Sequence, residues 1–134
     1  VELYKGGIIP LKEYAKMPYD RDILVRLIVK KEKAAFDYQS VRNSQTDFPV
    51  LTCAAAKTEA GYRFSIGARP GKPVLFELAD ADIQAADVEN MAENAAKCVK
   101  EQVGTGSNTR GSAEYRKHLA GVLVRRAVCK LAGK

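Results

Sequence analysis

The sequence predicts an α+β domain in which helices cover one face of an antiparallel sheet, and three observations predict it. Strand-like segments come first and helix-like segments last, rather than alternating. The hydrophobic period changes from two residues to about 3.6 near Ala79. The 134 residues, 46% hydrophobic and 28% charged, have the make-up of an ordinary globular chain that can bury one modest core.

Residues 1–30 contain two pieces punctuated by Gly and Pro, followed by the apolar run Ile23–Val29, which has strand length. The chain opens at Val1 in the middle of a patterned segment, so this stretch reads as the trailing edge of a larger unit, with the domain proper spanning residues 31–134. After the charged break "KKEK", Ala34–Val41 and Phe48–Ala56 read as strands. Gly61 marks a turn, and Tyr62–Ala68 alternates: Tyr62, Phe64 and Ile66 point one way, Arg63, Ser65 and Gly67 the other. "RPGKP" turns the chain into Val74–Leu78.

Two helices follow. Val88, Met91, Ala95, Cys98 and Val99 make one stripe behind an Asp87 cap. "GTGSNT" ends that helix, and Ser112 or a neighbour starts the last one, with Glu114 placed to suit the helix dipole. Leu119, Ala120, Leu123, Val124, Ala127, Val128 and Leu131 then share one face, with Arg116, Lys117, Arg125 and Arg126 assigned elsewhere.

Charge is concentrated at the end of the chain. Of 22 basic and 16 acidic residues, seven basic residues and Glu114 alone fall in 110–134, which leaves fifteen of each sign in the other 109 residues. A small basic nucleic-acid-binding or scaffold module is therefore the rival reading, although Tyr115 is the single aromatic that this segment offers for stacking on bases. No apolar run approaches the roughly 20 residues that span a membrane. Cys53, Cys98 and Cys129 are widely spaced within apolar patterns and read as buried thiols of a reducing, cytoplasmic compartment.

Catalytic motifs fail on spacing. "GARPGK" separates Gly67 from Gly71 by three residues where a phosphate loop needs four, and Pro73 and a strand follow, so it reads as a hairpin turn. His118 is the sole histidine, with no nucleophile motif beside it, and reads as a helix-surface residue. Asp80 and Asp82 precede a helix and read as caps or solvated charges. The sequence assigns no catalytic residue and no metal ligand.

"NTRGSAEYRKHLAGVLVRRAV" resembles the carboxy-terminal signature of the flavoprotein subunits of molybdenum hydroxylases, the xanthine dehydrogenase and carbon monoxide dehydrogenase group. There an R-G-S-x-x-Y-R element leads into a final amphipathic helix, and Arg110, Gly111, Ser112, Tyr115, Arg116, Arg125 and Arg126 match it. "FDYQSVRNSQTDFPVLTCAAA" is similar to the family's entry into this domain, with Tyr38, Arg42, Asp47 and Phe48 in the matching places. "GGIIPLKEYAK" with "DILVRLIV" resembles the end of the preceding flavin-binding domain.

The resemblance implies a three- or four-stranded antiparallel sheet packed against about three helices. It implies FAD as the cofactor of the full subunit, held mostly by an amino-terminal domain outside this sequence, with 2Fe-2S clusters and molybdopterin in partner subunits. Electrons in such enzymes pass from molybdenum through the clusters to FAD. The segment Tyr38–Asp47 is then flavin-proximal, with Tyr38, Gln39, Arg42 and Asp47 as its residues. Gln39 stands where members often carry a lysine, and Arg42 supplies a cation that Asp47 orients. Alternatively, Arg42 and Asp47 form a structural pair at the strand entry. Arg110, Tyr115 and Arg116 are assigned to the helix start and to contacts with the neighbouring domain and subunits.

Overall fold

Four antiparallel strands in chain order form the main sheet of the computed structural model, which describes residues 1–18 and 21–133. They are β4 (Ala35–Val41), β5 (Leu51–Thr58), β6 (Gly61–Gly67) and β7 (Val74–Leu78), and they belong to a compact unit that begins at Ala34. Lys134, counted above with the basic segment, lies outside the described residues.

Period-two alternation gives this sheet two unlike faces. Leu51, Cys53 and Ala55 of β5, Tyr62, Phe64 and Ile66 of β6, and Phe76 of β7 are buried on one. The other carries Phe36 and Tyr38 on β4, Ala54 and Ala56 on β5, and a cross-strand Arg63–Glu77 ion pair at 3.4 Å. Gly61 opens β6 with φ +124°, and a Cβ there would overlap the Leu78 carbonyl oxygen, so only glycine lets β6 and β7 meet at this point.

The strand expected from Phe48 begins at Leu51. Two features hold the preceding residues out of the ladder: the Asp47 carboxylate accepts the Phe48 amide at 2.7 Å, and Pro49 has no N–H to give. Val50 then donates to the Val41 carbonyl at 2.7 Å, which sets the β4–β5 register.

Of the three α-helices among the described residues, α2 (Val88–Gln102) and α3 (Ala113–Leu131) complete this unit. Asp87 caps α2 by accepting from the Asn90 amide at 2.8 Å, and Ser112 caps α3 by accepting from Tyr115 at 3.1 Å. Helix α3 lies across β5 and β4, and α2 packs along α3. The buried face of α2 is Ala92, Ala95, Ala96 and Val99: Ala95 and Val99 of the expected stripe are on it, while Val88, Met91 and Cys98 are only half-buried and Ala92 and Ala96 take their place. Small side chains bring two helices close, and alanine adds little to a hydrophobic periodicity. Asp82 accepts from the Ala79 amide at 3.1 Å and caps a 3-10 turn, while Asp80 pairs with Lys57.

Residues 1–33 form a separate compact unit. Strand β1 (Glu2–Leu3) is the centre of a three-stranded antiparallel sheet, flanked by β2 (Gly7–Ile8) and β3 (Leu24–Arg26), with the four-residue helix α1 (Leu11–Tyr14) between them in the chain. The strand expected over Ile23–Val29 shrinks to Leu24–Arg26 because β1 offers only two residues to pair with. Leu27, Ile28 and Val29 remain exposed.

Candidate functional site

The residues singled out by sequence gather mainly at one end of the main sheet, where the loop after β4 (residues 42–50) meets the loop before α3 (residues 103–112). Arg110 joins the two: its Nε and Nη2 both donate to Asp47 Oδ1 at 3.1 Å, and its guanidinium lies over the Phe48 ring, 5.3 Å from the centroid. Asn43 Nδ2 donates to the Arg110 carbonyl at 3.2 Å. Arg42 donates to the Asp47 backbone carbonyl at 3.3 Å, so the carboxylate expected to orient Arg42 is engaged by Arg110 instead. The Arg110 hydrogen bonds, followed by the Phe48 amide, hold the Asp47 carboxyl below its ordinary pKa.

Arg116 corrects a second expectation. It is fully buried, at 0% exposure, inside the unit rather than among the surface cations of α3, and so has no surface to offer a neighbouring domain. Its Nε donates to the Val50 carbonyl at 2.9 Å, Nη1 to the Gly106 and Gly111 carbonyls at 2.7 and 2.5 Å, and Nη2 to Asn108 Oδ1 at 2.5 Å. One planar fork thereby ties the start of β5 to both ends of the loop that enters α3. Burial, and secondarily the charge of Arg110, lower its pKa, yet an arginine so placed stays cationic.

The R-G-S-x-x-Y-R element thus acquires a physical meaning position by position. Arg110 ties the loops together, and Ser112 caps the helix. Gly111 keeps clear of Val50, where a Cβ would come within 3.2 Å of Val50 Cγ1. Arg116 anchors from beneath. Tyr115, 46% exposed, is left facing solvent together with Phe48 at 74%.

The four residues expected near a flavin are not brought together. Tyr38 is 62% exposed on the outer face of β4. Gln39 faces the helices and donates to Asp37 Oδ2 at 2.6 Å. Arg42 and Asp47 belong to the loop that follows, because strand pairing with β5 runs on to Val41 and fixes Tyr38 and Gln39 on opposite faces.

Sequence reasoning passed over Asp37, the buried acid that Lys130 reaches from the end of α3. Burial pushes its pKa up, but the hydrogen bonds from Lys130 and Gln39 outweigh that and leave it lowered. The signal was present: Ala35, Asp37, Gln39 and Val41 are alternate residues of one strand, so a polar pair had to face the helices. Arg69 was passed over as well. It donates to the Gly104 carbonyl and, at 2.9 Å, to the Lys72 carbonyl, which makes "GARPGK" a braced hairpin turn.

Both carboxylates have folded-state pKa values below the ordinary 3.8. The unfolded chain therefore takes up protons first as pH falls, and the stabilisation is present above the ordinary value and lost as pH drops through the lower folded values. Between about pH 6 and about pH 2.5 the urea midpoint is expected to fall, and to fall less steeply in the Asp37→Asn/Asp47→Asn double variant. Equal slopes would remove these two groups from the acid response.

Cys53 is buried, and burial, followed by the Asp37 charge, pushes its thiol up to about 12, so it serves as a small core residue. All three cysteines are free thiols. No cluster of three metal-ligating side chains occurs among the described residues.

The family model of the CO dehydrogenase flavoprotein C-terminal domain matches residues 36–131. The chain belongs to this family. Carbon monoxide dehydrogenase of Hydrogenophaga pseudoflava is similar in fold, with TM-score 0.64 and 19% identity over 77% of this chain and 38% of that one. So is quinoline 2-oxidoreductase of Pseudomonas putida 86, with TM-score 0.65 and 20% identity over 75% and 38%. Carbon monoxide dehydrogenase of Oligotropha carboxidovorans gives TM-score 0.63 and 22% identity over 77% and 38%. These identities speak to the fold alone, and the match spans 38% of each of those chains. No curated protein sequence matches.

For a domain of a flavoprotein family, the glycine-rich loop 104–112 is the natural place to look for a pyrophosphate cradle, which needs backbone N–H groups free to donate. Here four of the loop's amides are used internally: Gly106 donates to the Arg69 carbonyl, Asn108 and Gly111 to each other's carbonyls, and Arg110 to Asn108 Oδ1. The Gly106, Asn108, Arg110 and Gly111 amides are thereby withdrawn from any contact with a pyrophosphate.

Proposed function

We propose that this chain is part of the FAD-containing electron-transfer subunit of a molybdenum hydroxylase of the xanthine dehydrogenase type. Residues 31–134 cap a flavin that a preceding domain holds, and residues 1–30 are the last edge of that domain. The observation that carries this reading is the hydrogen-bonded loop end. Arg69, Arg110 and Arg116 fix loops 42–50 and 103–112 from within, and their hydrogen bonds leave Arg42, Phe48 and Tyr115 presented outward. A pre-organised surface of Arg, Phe and Tyr is what a docking cap needs, since little ordering entropy remains to be lost on contact. Iron-sulfur and molybdopterin subunits are its partners, and free thiols suit the cytoplasm.

The basic nucleic-acid reading loses its support in the ion pairs. Arg110 is held by Asp47, Arg125 by Glu93 and Lys130 by Asp37, and Arg116 is buried.

Placing the loop beside the flavin predicts a spectral effect. In the longer flavin-carrying polypeptide, Arg42→Ala should shift the flavin absorption band and its reduction potential, because a nearby cation favours the anionic reduced flavin. Lys117→Ala, on the exposed side of α3, should leave both unchanged. An unaltered potential in Arg42→Ala would place this loop away from the flavin.

A further inference from the structure

A groove of about 340 Å³ runs between α2 and α3. Ala96, Gly121 and Val122 line its floor, Lys97 and Lys100 one bank, and His118 and Arg125 the other. Glu93 pairs with Arg125 at 3.4 Å at one end, while Lys100 lies beside Gly121, so the two helices run antiparallel along it. Neither Lys97 nor Lys100 has an ion-pair partner among the described residues. Three full cations therefore line the groove against the single carboxylate of Glu93.

Gly121 is a second and independent pointer. It is a buried residue in the interior of α3, where glycine weakens a helix relative to alanine. Its φ lies outside the positive region. A Cβ there would meet Lys100 Cδ at 3.5 Å and the Ala96 carbonyl at 3.8 Å, both ordinary contacts, so packing within the fold does not require glycine. What the missing methyl does is keep the floor of the groove open.

We infer that this groove docks an acidic segment of a partner protein, with the carboxylates of that segment set between the lysine bank and the His118–Arg125 bank. His118 to Arg125 covers two helical turns, about 10 Å. That length suits several carboxylates spaced along a chain better than a single phosphate. Small residues on the floor let the backbone of the segment come close, and the cations add attraction and register. This inference rests on α2 and α3 alone, and it stands or falls independently of the flavin reading.

The test is an amide NMR titration of the 134-residue chain with an oligoglutamate peptide, and separately with inorganic tripolyphosphate. The peptide is expected to shift the Gly121, Lys97 and Lys100 amides saturably. Lys97→Glu/Lys100→Glu should weaken binding by about tenfold or more, while Arg126→Glu, exposed on α3 outside the groove, should change it less than about threefold. Gly121→Ala fits the space and should raise the melting temperature while weakening the peptide; Gly121→Leu should abolish binding. Should Gly121→Leu fail to fold, Gly121→Ala carries the test. No saturable shift, shifts spread evenly onto Lys117 and Arg126, tighter binding of tripolyphosphate at Gly121, or a lower melting temperature in Gly121→Ala would each overturn the inference.

Discussion

Replacing Arg116 by Met is expected to lower the stability of the 34–133 unit by about 3–5 kcal/mol. The side chain keeps its apolar length but gives up every donor. The Val50, Gly106 and Gly111 carbonyls and Asn108 Oδ1 lose their partner together. A buried acceptor left without a donor costs about 1–3 kcal/mol, and water can reach some of these once the fork is gone, which sets the lower end of the range. In thermal unfolding this is a fall of about 10–20 °C. Arg116→Lys should recover less than half of the loss, because an ammonium is a point donor and cannot reach four acceptors spread around a planar fork. Lys117→Ala, one residue along and exposed, should stay within about 0.5 kcal/mol of the parent. A similarly small change in Arg116→Met would mean that the loop is held by something other than this guanidinium.

Phe64→Ala is expected to cost about 3–5 kcal/mol as well, by a different route. Phe64 is fully buried in β6, stacked with Tyr62 at 6.0 Å between centroids, and paired across the sheet with Ala55 and Phe76. Its removal leaves a cavity under the helices that small neighbours such as Ala55 cannot fill. The informative comparison is Phe36→Ala. The residue type is the same and it too sits in a strand of the same sheet, but it is 70% exposed on the outer face. Chemical denaturation of the chain should find that change within about 0.5 kcal/mol of neutral. Equal losses at the two positions would contradict the one-sided covering of the sheet.

Much of this architecture was legible because period alone decides it. The alternation of Tyr62, Phe64 and Ile66 assigned a buried face, Asp87 and Ser112 marked helix starts, and the strands-then-helices order gave the layers. Periodicity failed where polar residues occupy inward positions. Arg116 stands four residues before Ala120 and seven before Leu123, on the apolar stripe itself, but its charge caused it to be grouped with Lys117 and Arg125. Asp37, inward-facing on β4, was passed over altogether. In both cases the partner is far away in sequence: Val50 lies 66 residues from Arg116, and Lys130 lies 93 from Asp37. The same distance explains the exchange at Asp47. The nearby Arg42 looked like its partner, yet the carboxylate meets Arg110, 63 residues on. On α2, Ala95 and Val99 were read as part of the stripe, but Ala92 and Ala96 were missed because alanine scarcely registers in a hydrophobic pattern, although it is what lets α3 approach.

On the proposed reading, this chain is a lid whose own loops do not hold the cofactor it covers. The direct measurement is a fluorescence titration of FAD with the folded 134-residue chain. No saturable quenching is expected at stoichiometric concentrations, because the Gly106, Asn108, Arg110 and Gly111 amides of the glycine-rich loop are already committed within the chain. Tight one-to-one binding of FAD by this chain alone would contradict it.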